Sequence, residues 1–115
     1  MPADCLFCRI VAGEIPATRL HADDLVIAIR DIGPQAPTHV LILPVAHIAS
    51  AADLTDLDGP VLGRLFAVAA ELARDAGLAE RGYRLATNVG RDGGQTVDHL
   101  HIHLLGGRSF GWPPG

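Results

Sequence analysis

The segment DHLHIHLLGG, residues 98–107, has histidine at three alternate positions and leucine or isoleucine at the positions between them. Side chains of a β-strand point alternately to its two faces, so this pattern predicts a strand. The aliphatic side chains would enter a core, and the histidines would share the other face with about 6–7 Å between neighbours. One bound group could therefore touch two of them. The histidines are His99, His101 and His103.

Four segments read as strands, and two as helices. β-rich or alternating runs predict strands at 25–31, 38–44, 83–90 and 99–107. Gly13 limits a short helix over 6–12, and helical spacing of apolar residues between Thr55 and Gly77 predicts a longer one. Thr55 and Asp58 form a weak capping-box pattern before that helix. The connections are too short for parallel crossovers, which favours an antiparallel α+β sheet.

Composition narrows the class of protein. With 115 residues, 49% of them hydrophobic, the chain suits a single domain over 1–115 that includes a C-terminal tail at 106–115. The net charge is −4 and every basic residue is an isolated arginine, so we expect no nucleic-acid partner. No apolar run is long enough for a membrane span, and the first residues lack a signal-peptide pattern, so we expect a soluble, cytoplasmic protein.

The histidine row favours chemistry over a merely polar strand face. A neutral imidazole is a nucleophile at neutral pH, because its ordinary pKa of about 6.5 leaves a free lone pair. The turn GRDGGQT comes directly before the row, and glycines allow backbone N–H groups to converge on an anion. Such turns also occur as plain hairpin connections. Together the two features indicate a phosphorus electrophile.

The pair Cys5 and Cys8, in CLFC, leaves three interpretations open. A redox pair should follow a strand in a βαβ unit, which this pair does not. A zinc site would need about two more ligands, and the chain has six histidines. Two buried thiols without metal are the third interpretation.

The pattern from His99 to Leu105 resembles the motif of the histidine triad (HIT) family. The segments DIGPQAPTHVLILP, GRDGGQT and GWPPG resemble the Hint branch of nucleotide-binding phosphoramidases. This resemblance implies a HIT fold, with a five-stranded antiparallel sheet, one long helix and one short helix. It also implies a homodimer with a ten-stranded sheet, and hydrolysis of adenosine or guanosine 5'-phosphoramidates through a nucleotidyl-histidine intermediate.

Carried over by position, the resemblance assigns roles to particular residues. The catalytic set would be the nucleophile His101 with His103, His39 and Thr96. Ribose and phosphate contacts would come from Asp31, Asn88, Gly94 and Gln95, the last two through backbone N–H groups. Phe7, Ile10, Ile29 and Ile32 would be both core and wall of a purine pocket. Read without the resemblance, Asp31 and Asn88 are turn residues, and Phe7, Ile10 and Ile29 are ordinary core.

The same resemblance assigns a structural Zn²⁺ to Cys5, Cys8, His47 and His99. Thr96 stands where the branch usually has serine, and Asp98 where an apolar or aromatic residue is commoner. These differences concern substrate choice. A diadenosine polyphosphate hydrolase or phosphorylase, and a zinc-stabilised nucleotide-binding scaffold with vestigial catalysis, are the alternative functions.

Overall fold

The computed structural model describes residues 2–115, so the first residue of the expected 1–115 domain lies outside the described part. Its centre is a five-stranded sheet in the order β1-β2-β3-β5-β4, in which every pair of neighbours is antiparallel. The strands are β1 (Arg19–Ala22), β2 (Val26–Arg30), β3 (Thr38–Pro44), β4 (Tyr83–Ala86) and β5 (Ile102–Gly106). The predicted antiparallel α+β fold is confirmed.

Strand predictions were accurate where burial is complete and less accurate elsewhere. β3 coincides with the predicted segment 38–44, and its last six residues are buried. β5 begins at Ile102, three residues after the predicted start, so His99 and His101 precede the regular strand. The residue pattern did not predict β1, because its four residues RLHA are exposed or half-buried and lack a clean alternation.

The helices lie on opposite faces of the sheet. α1 (Leu6–Val11) is short, and α2 (Gly59–Asp75) is the long helix. Thr55 and Asp58 form both hydrogen bonds of a capping box, as predicted, but they cap a 3₁₀ turn, Asp56–Asp58, that runs directly into α2.

Alternation along the strands builds two apolar clusters. α2 covers one face, where its buried Leu65, Val68, Ala69 and Ala73 pack on Val26, Ala28, Val40, Ile42, Ile102 and Leu104. α1 covers the other face, where Phe7 and Ile10 pack on Ile27, Ile29, Leu41 and Leu43. The histidine row belongs to this second face, which we call the histidine face. The sheet therefore buries both of its sides, and the site lies under the short helix.

A polar cluster ties the β1–β2 turn to α2. Asp23 accepts hydrogen bonds from His21 Nε2 at 2.6 Å and Arg64 Nε at 2.9 Å, and from two backbone N–H groups of the turn. The His21 contact is the largest cause that holds the pKa of Asp23 well below its usual range, although burial opposes it. Among residues 2–115, no helix is both long and apolar enough to cross a membrane.

Candidate functional site

Six aromatic rings form one continuous row on the histidine face. The neighbours in order are His47, His99, Phe7, His101, His103 and His39, with ring centroids 5.0–5.9 Å apart. His99 is 0% exposed and His101 is 5% exposed, so the alternative of a polar strand face bathed in solvent is wrong. Only a small part of the His101 ring is open to a substrate. The row has two polar ends, one on each side of Phe7 and His101.

The middle histidine has a fixed tautomer. Nδ1 of His101 lies 2.7 Å from the carbonyl oxygen of His99, and a carbonyl can only accept a hydrogen bond. Nδ1 therefore carries the proton, and Nε2 of the neutral ring has a free lone pair. Thr87 Oγ1 donates to the carbonyl of His101 at 2.8 Å and so holds the backbone of the same residue. This arrangement suits a nucleophile that needs no separate base.

At one end of the row, which we call the relay end, two histidines are joined directly. His39 Nε2 lies 2.9 Å from His103 Nδ1, and the backbone N–H of Gln35 donates to His39 Nδ1 at 3.0 Å. Asp31 Oδ2 lies 3.4 Å from His39 Nε2. Burial, assisted by repulsion from His101 and His39, lowers the pKa of His103 to about 4, although Asp31 opposes this shift. His103 is therefore neutral at pH 7.

At the other end, which we call the metal end, two thiols and two imidazoles converge. The four ligand-type atoms of Cys5, Cys8, His47 and His99 lie within 4.8 Å of one another. Cys5 Sγ is 3.4 Å and Cys8 Sγ is 3.5 Å from His99 Nδ1, and Cys8 Sγ is 3.4 Å from His47 Nδ1. Around a tetrahedral Zn²⁺, sulfur and nitrogen ligands are about 3.6 Å apart, given bonds of about 2.3 and 2.0–2.1 Å. The residues therefore fit the ion.

Secondary contacts at the metal end support ligation. His99 Nε2 donates to the carbonyl of Pro44 at 2.8 Å, which leaves Nδ1 unprotonated and facing the two sulfurs. Burial lowers the pKa of His99. Burial first, and then the hydrogen bond and charge of Cys5, raise the pKa of Cys8 to about 11. A cation would offset this cost of forming a thiolate, so binding would release protons.

The apolar residues proposed for the base divide into two groups. Phe7, Ile10 and Ile29 are 3–6% exposed and pack in the cluster under α1, as expected for core. Ile32 is fully exposed, at 103%, so the expectation that it is part of the core is wrong. It lies in the turn that follows β2, where Asp31 Oδ1 accepts a hydrogen bond from the N–H of Gly33. Asp31 thus opens the turn and also faces His39.

The glycine-rich loop is shaped by its own hydrogen bonds. The N–H groups of Gly94 and Gln95 donate to the carbonyls of Arg91 and Gly90, so this conformation does not offer them to an anion, contrary to expectation. The Gln95 side chain donates to the carbonyls of Ala49 and Val97 and accepts from the N–H of Gly90. Gln95 therefore anchors the loop through its side chain.

The remaining assigned side chains flank the nucleophile in sequence and register. β4 pairs with β5 so that Ala86 lies opposite His103. Asn88 is half-buried and lies two residues beyond the end of β4. Thr96 is exposed in the loop. The structure thus gathers Asp31, His39 and His103 in one group and Cys5, Cys8, His47 and His99 in another. His101 lies between the two groups, and Thr96 lies outside both.

Sequence reasoning missed the backbone groups that orient the rings. The N–H of Gln35, the carbonyl of Pro44 and the carbonyl of His99 each fix one imidazole. Every residue has such groups, so residue identity carries no signal for them. The Thr87 contact to His101 also had no sequence signal, because threonine is common in strands.

Comparisons with known proteins agree with this geometry. Residues 12–110 match the model of the HIT domain. The chain is 49% identical over 111 residues to a purine nucleoside phosphoramidase of Escherichia coli K12, covering 96% of this chain and 93% of that protein. It is also 49% identical over 115 residues to an uncharacterized HIT-like protein of Synechococcus elongatus, covering both chains completely.

Solved structures resemble the fold as closely. A HIT family hydrolase from Legionella pneumophila superposes with a TM-score of 0.96 at 54% identity, covering 97% of this chain and 100% of that one. A HIT family hydrolase from Clostridium thermocellum gives a TM-score of 0.93 at 47% identity, with 96% of each chain covered.

Proposed function

Because the chain belongs to the HIT domain family, we propose that it is a purine nucleoside phosphoramidase, which hydrolyses adenosine or guanosine 5'-phosphoramidates. The observation that carries the proposal is the His101 tautomer. Its Nδ1–H donates to the His99 carbonyl, so the lone pair needed for attack on phosphorus is on Nε2.

The reaction proceeds in two displacements at phosphorus. His101 Nε2 attacks the α-phosphorus, a P–N bond forms to the imidazole, and the P–N bond to the amine breaks. The amine takes up a proton from solvent as it leaves, and the water that attacks in the second step returns one proton to solvent. Water then attacks phosphorus, the P–N bond to His101 breaks, and the nucleoside monophosphate leaves. The neutral state of His103 suits a hydrogen-bond donor to the phosphoryl oxygens.

Other residues would bind the nucleotide. The Asp31 carboxylate would accept from both ribose hydroxyls, and Asn88 and Thr96 would donate to the phosphate and leaving group. Phe7, Ile10, Ile29 and the exposed Ile32 would form the walls around the purine. The support is the position of Asp31 beside His39 and of Phe7 against His101. Gln95 would act by holding the loop that carries Thr96.

A structural Zn²⁺ held by Cys5, Cys8, His47 and His99 forms part of the proposal. When bound, the ion would crosslink the start of α1 to the segment before β5. The crosslink would hold the backbone of His99, whose carbonyl accepts the hydrogen bond that orients the His101 ring. A reducing compartment such as the cytoplasm would keep both thiols available.

We further propose that residues 1–115 act as one domain in a homodimer with a continuous ten-stranded sheet. β4 is an edge strand in the single chain, and such an edge offers unpaired backbone groups to a second copy. A scattering mass equal to one chain would contradict this assembly.

The function is tested with a fluorogenic adenosine 5'-phosphoramidate. Wild-type protein should hydrolyse this substrate, and the kcat of His101→Ala should be at least about 10³-fold lower, as expected when a nucleophile is removed. Acid-quenched wild-type protein should show the added mass of a nucleotidyl group. Equal, negligible rates in both proteins would leave only nucleotide binding. Faster hydrolysis of a diadenosine polyphosphate would change the substrate class.

A further inference from the structure

The relay end has a directional chain of hydrogen bonds. The N–H of Gln35 can only donate, so His39 Nδ1 must accept, and the proton of the neutral His39 ring is on Nε2. Nε2 lies 2.9 Å from His103 Nδ1, which therefore accepts in turn. The proton of neutral His103 is then on its Nε2. One backbone N–H thus sets two tautomers.

Residue 35 is itself held by the C-terminal tail. Arg108 Nε donates to the carbonyl of Gln35 at 3.0 Å, and the Arg108 guanidinium carbon lies 4.1 Å from the centre of the Phe110 ring. The Gln35 side chain donates to the carbonyl of Gly33 at 3.0 Å. Two hydrogen bonds therefore hold the backbone on both sides of the N–H that faces His39, and the Phe110 ring packs against the Arg108 side chain that makes one of them.

We propose that Gln35, through its backbone N–H, and Arg108, through the Gln35 carbonyl, are positioning residues that make His103 Nε2 a permanent hydrogen-bond donor. The use of this donor on phosphate rests on the proposed function, whereas the tautomers do not. The chain of contacts links the tail to the catalytic histidines without a direct contact between them.

The same contacts argue against a cation at the relay end. Asp31, His39 and His103 present ligand-type atoms within 4.8 Å of one another. A metal on His39 Nε2 would require the proton of the neutral ring on Nδ1, where it would face the N–H of Gln35. Two donors would then point at each other. Asp31, His39 and His103 therefore form a hydrogen-bonded group with fixed proton positions, and this arrangement does not suit a metal ion.

The test reads the tautomers in zinc-loaded, full-length protein without substrate. Long-range ¹⁵N–¹H spectra of wild-type protein should show Nε2–H on His39 and His103, and Nδ1–H on His101. Gln35→Pro removes the N–H, and Arg108→Gln removes the contact to the carbonyl. Both should mix the His39 and His103 tautomers and lower kcat by about 3–10-fold, the usual worth of one hydrogen bond.

Two controls separate positioning from folding. Gln35→Ala keeps the backbone N–H and loses only the side-chain bond to the Gly33 carbonyl, so it should mix the tautomers less than Gln35→Pro. Arg74→Gln changes an exposed arginine of α2 and should keep the wild-type tautomers. If Gln35→Pro does not fold, Arg108→Gln still decides. Wild-type His103 protonated on Nδ1, unmixed tautomers in Arg108→Gln, or excess Zn²⁺ binding to His39 Nε2 would each overturn the inference. Correct tautomers in an inactive protein would remove only the proposed function.

Discussion

The two ends of the ring row use the same side chain in opposite ways. At the metal end the carbonyl of Pro44 accepts a hydrogen bond from His99 Nε2, which leaves the lone pair of Nδ1 free to face the sulfurs of Cys5 and Cys8. At the relay end the N–H of Gln35 donates to His39 Nδ1, which leaves the proton of the neutral ring on Nε2, the nitrogen that faces His103. The polarity of one backbone group thus separates a nitrogen that is free to bind a metal from one that donates a proton, although both ends gather ligand-type atoms within 4.8 Å.

Among the substitutions that test this comparison, the largest loss of stability should come from removing one ligand at the metal end. Cys8→Ser removes a buried thiol that is one of the four proposed zinc ligands, and we expect loss of bound zinc and of about 3 kcal/mol or more of the free energy of unfolding. For a domain of this size that corresponds to a fall in Tm of about 10 °C or more. Metal analysis of untagged protein and thermal unfolding measure both.

Asp31→Asn is the matched change at the relay end. It should leave the zinc content at one per chain. Wild-type protein with well under one zinc per chain, or equal zinc loss in the two variants, would show that the ends are not specialised as described.

The relay end should contribute a smaller effect that depends on pH. The pKa of His103 is about 4 in the folded protein and about 6.5 in an unfolded chain. Between these two pH values the unfolded state therefore binds more protons than the folded state. The contribution of neutral His103 to the free energy of unfolding is fully present above pH 6.5 and is lost as the pH falls to about 4. The loss is of the order of 1–3 kcal/mol.

His103→Gln does not titrate, and its side-chain oxygen can still accept from His39 Nε2. Denaturant midpoints at pH 7 and pH 4.5 should therefore differ less in this variant than in wild-type protein. Acid release of zinc is common to both proteins and cancels in the comparison. An unchanged difference would contradict the low pKa of His103. Arg74→Gln, at an exposed arginine of α2 that stays charged over this pH range, serves as the control substitution.

The smallest effect is expected where the two ends meet. Phe7 packs edge to face against both His99 and His101, with centroids 5.9 and 5.0 Å apart. Phe7→Leu keeps an apolar side chain but loses these ring contacts, so it should cost about 1 kcal/mol and lower kcat by a few-fold. Val11→Leu, on the half-buried end of α1, is the control. No change in kcat would mean that Phe7 does not couple the ends.

Local pattern was sufficient for the main elements of the fold. A β-rich run ended by Pro44 predicted β3 to the residue, and helical spacing predicted α2. β3 is buried on both faces and therefore reads as a continuous apolar run, whereas α2 buries one periodic set of side chains. β1 was not predicted, since its four residues are exposed or half-buried and it is positioned by pairing with β2 at the edge of the sheet. Resemblance supplied the fifth strand, which the residues alone did not predict.

The sequence by itself determined which residue types are present at the site: three alternate histidines, a fourth in β3, and two cysteines three positions apart. Only the tertiary structure decided what each imidazole does. A ring tautomer is set by whether a carbonyl or an N–H faces its nitrogen, and those backbone groups come from distant segments at Pro44 and Gln35. Backbone polarity is the same for almost every residue, so it acquires a meaning only when folding gives it a position and a direction.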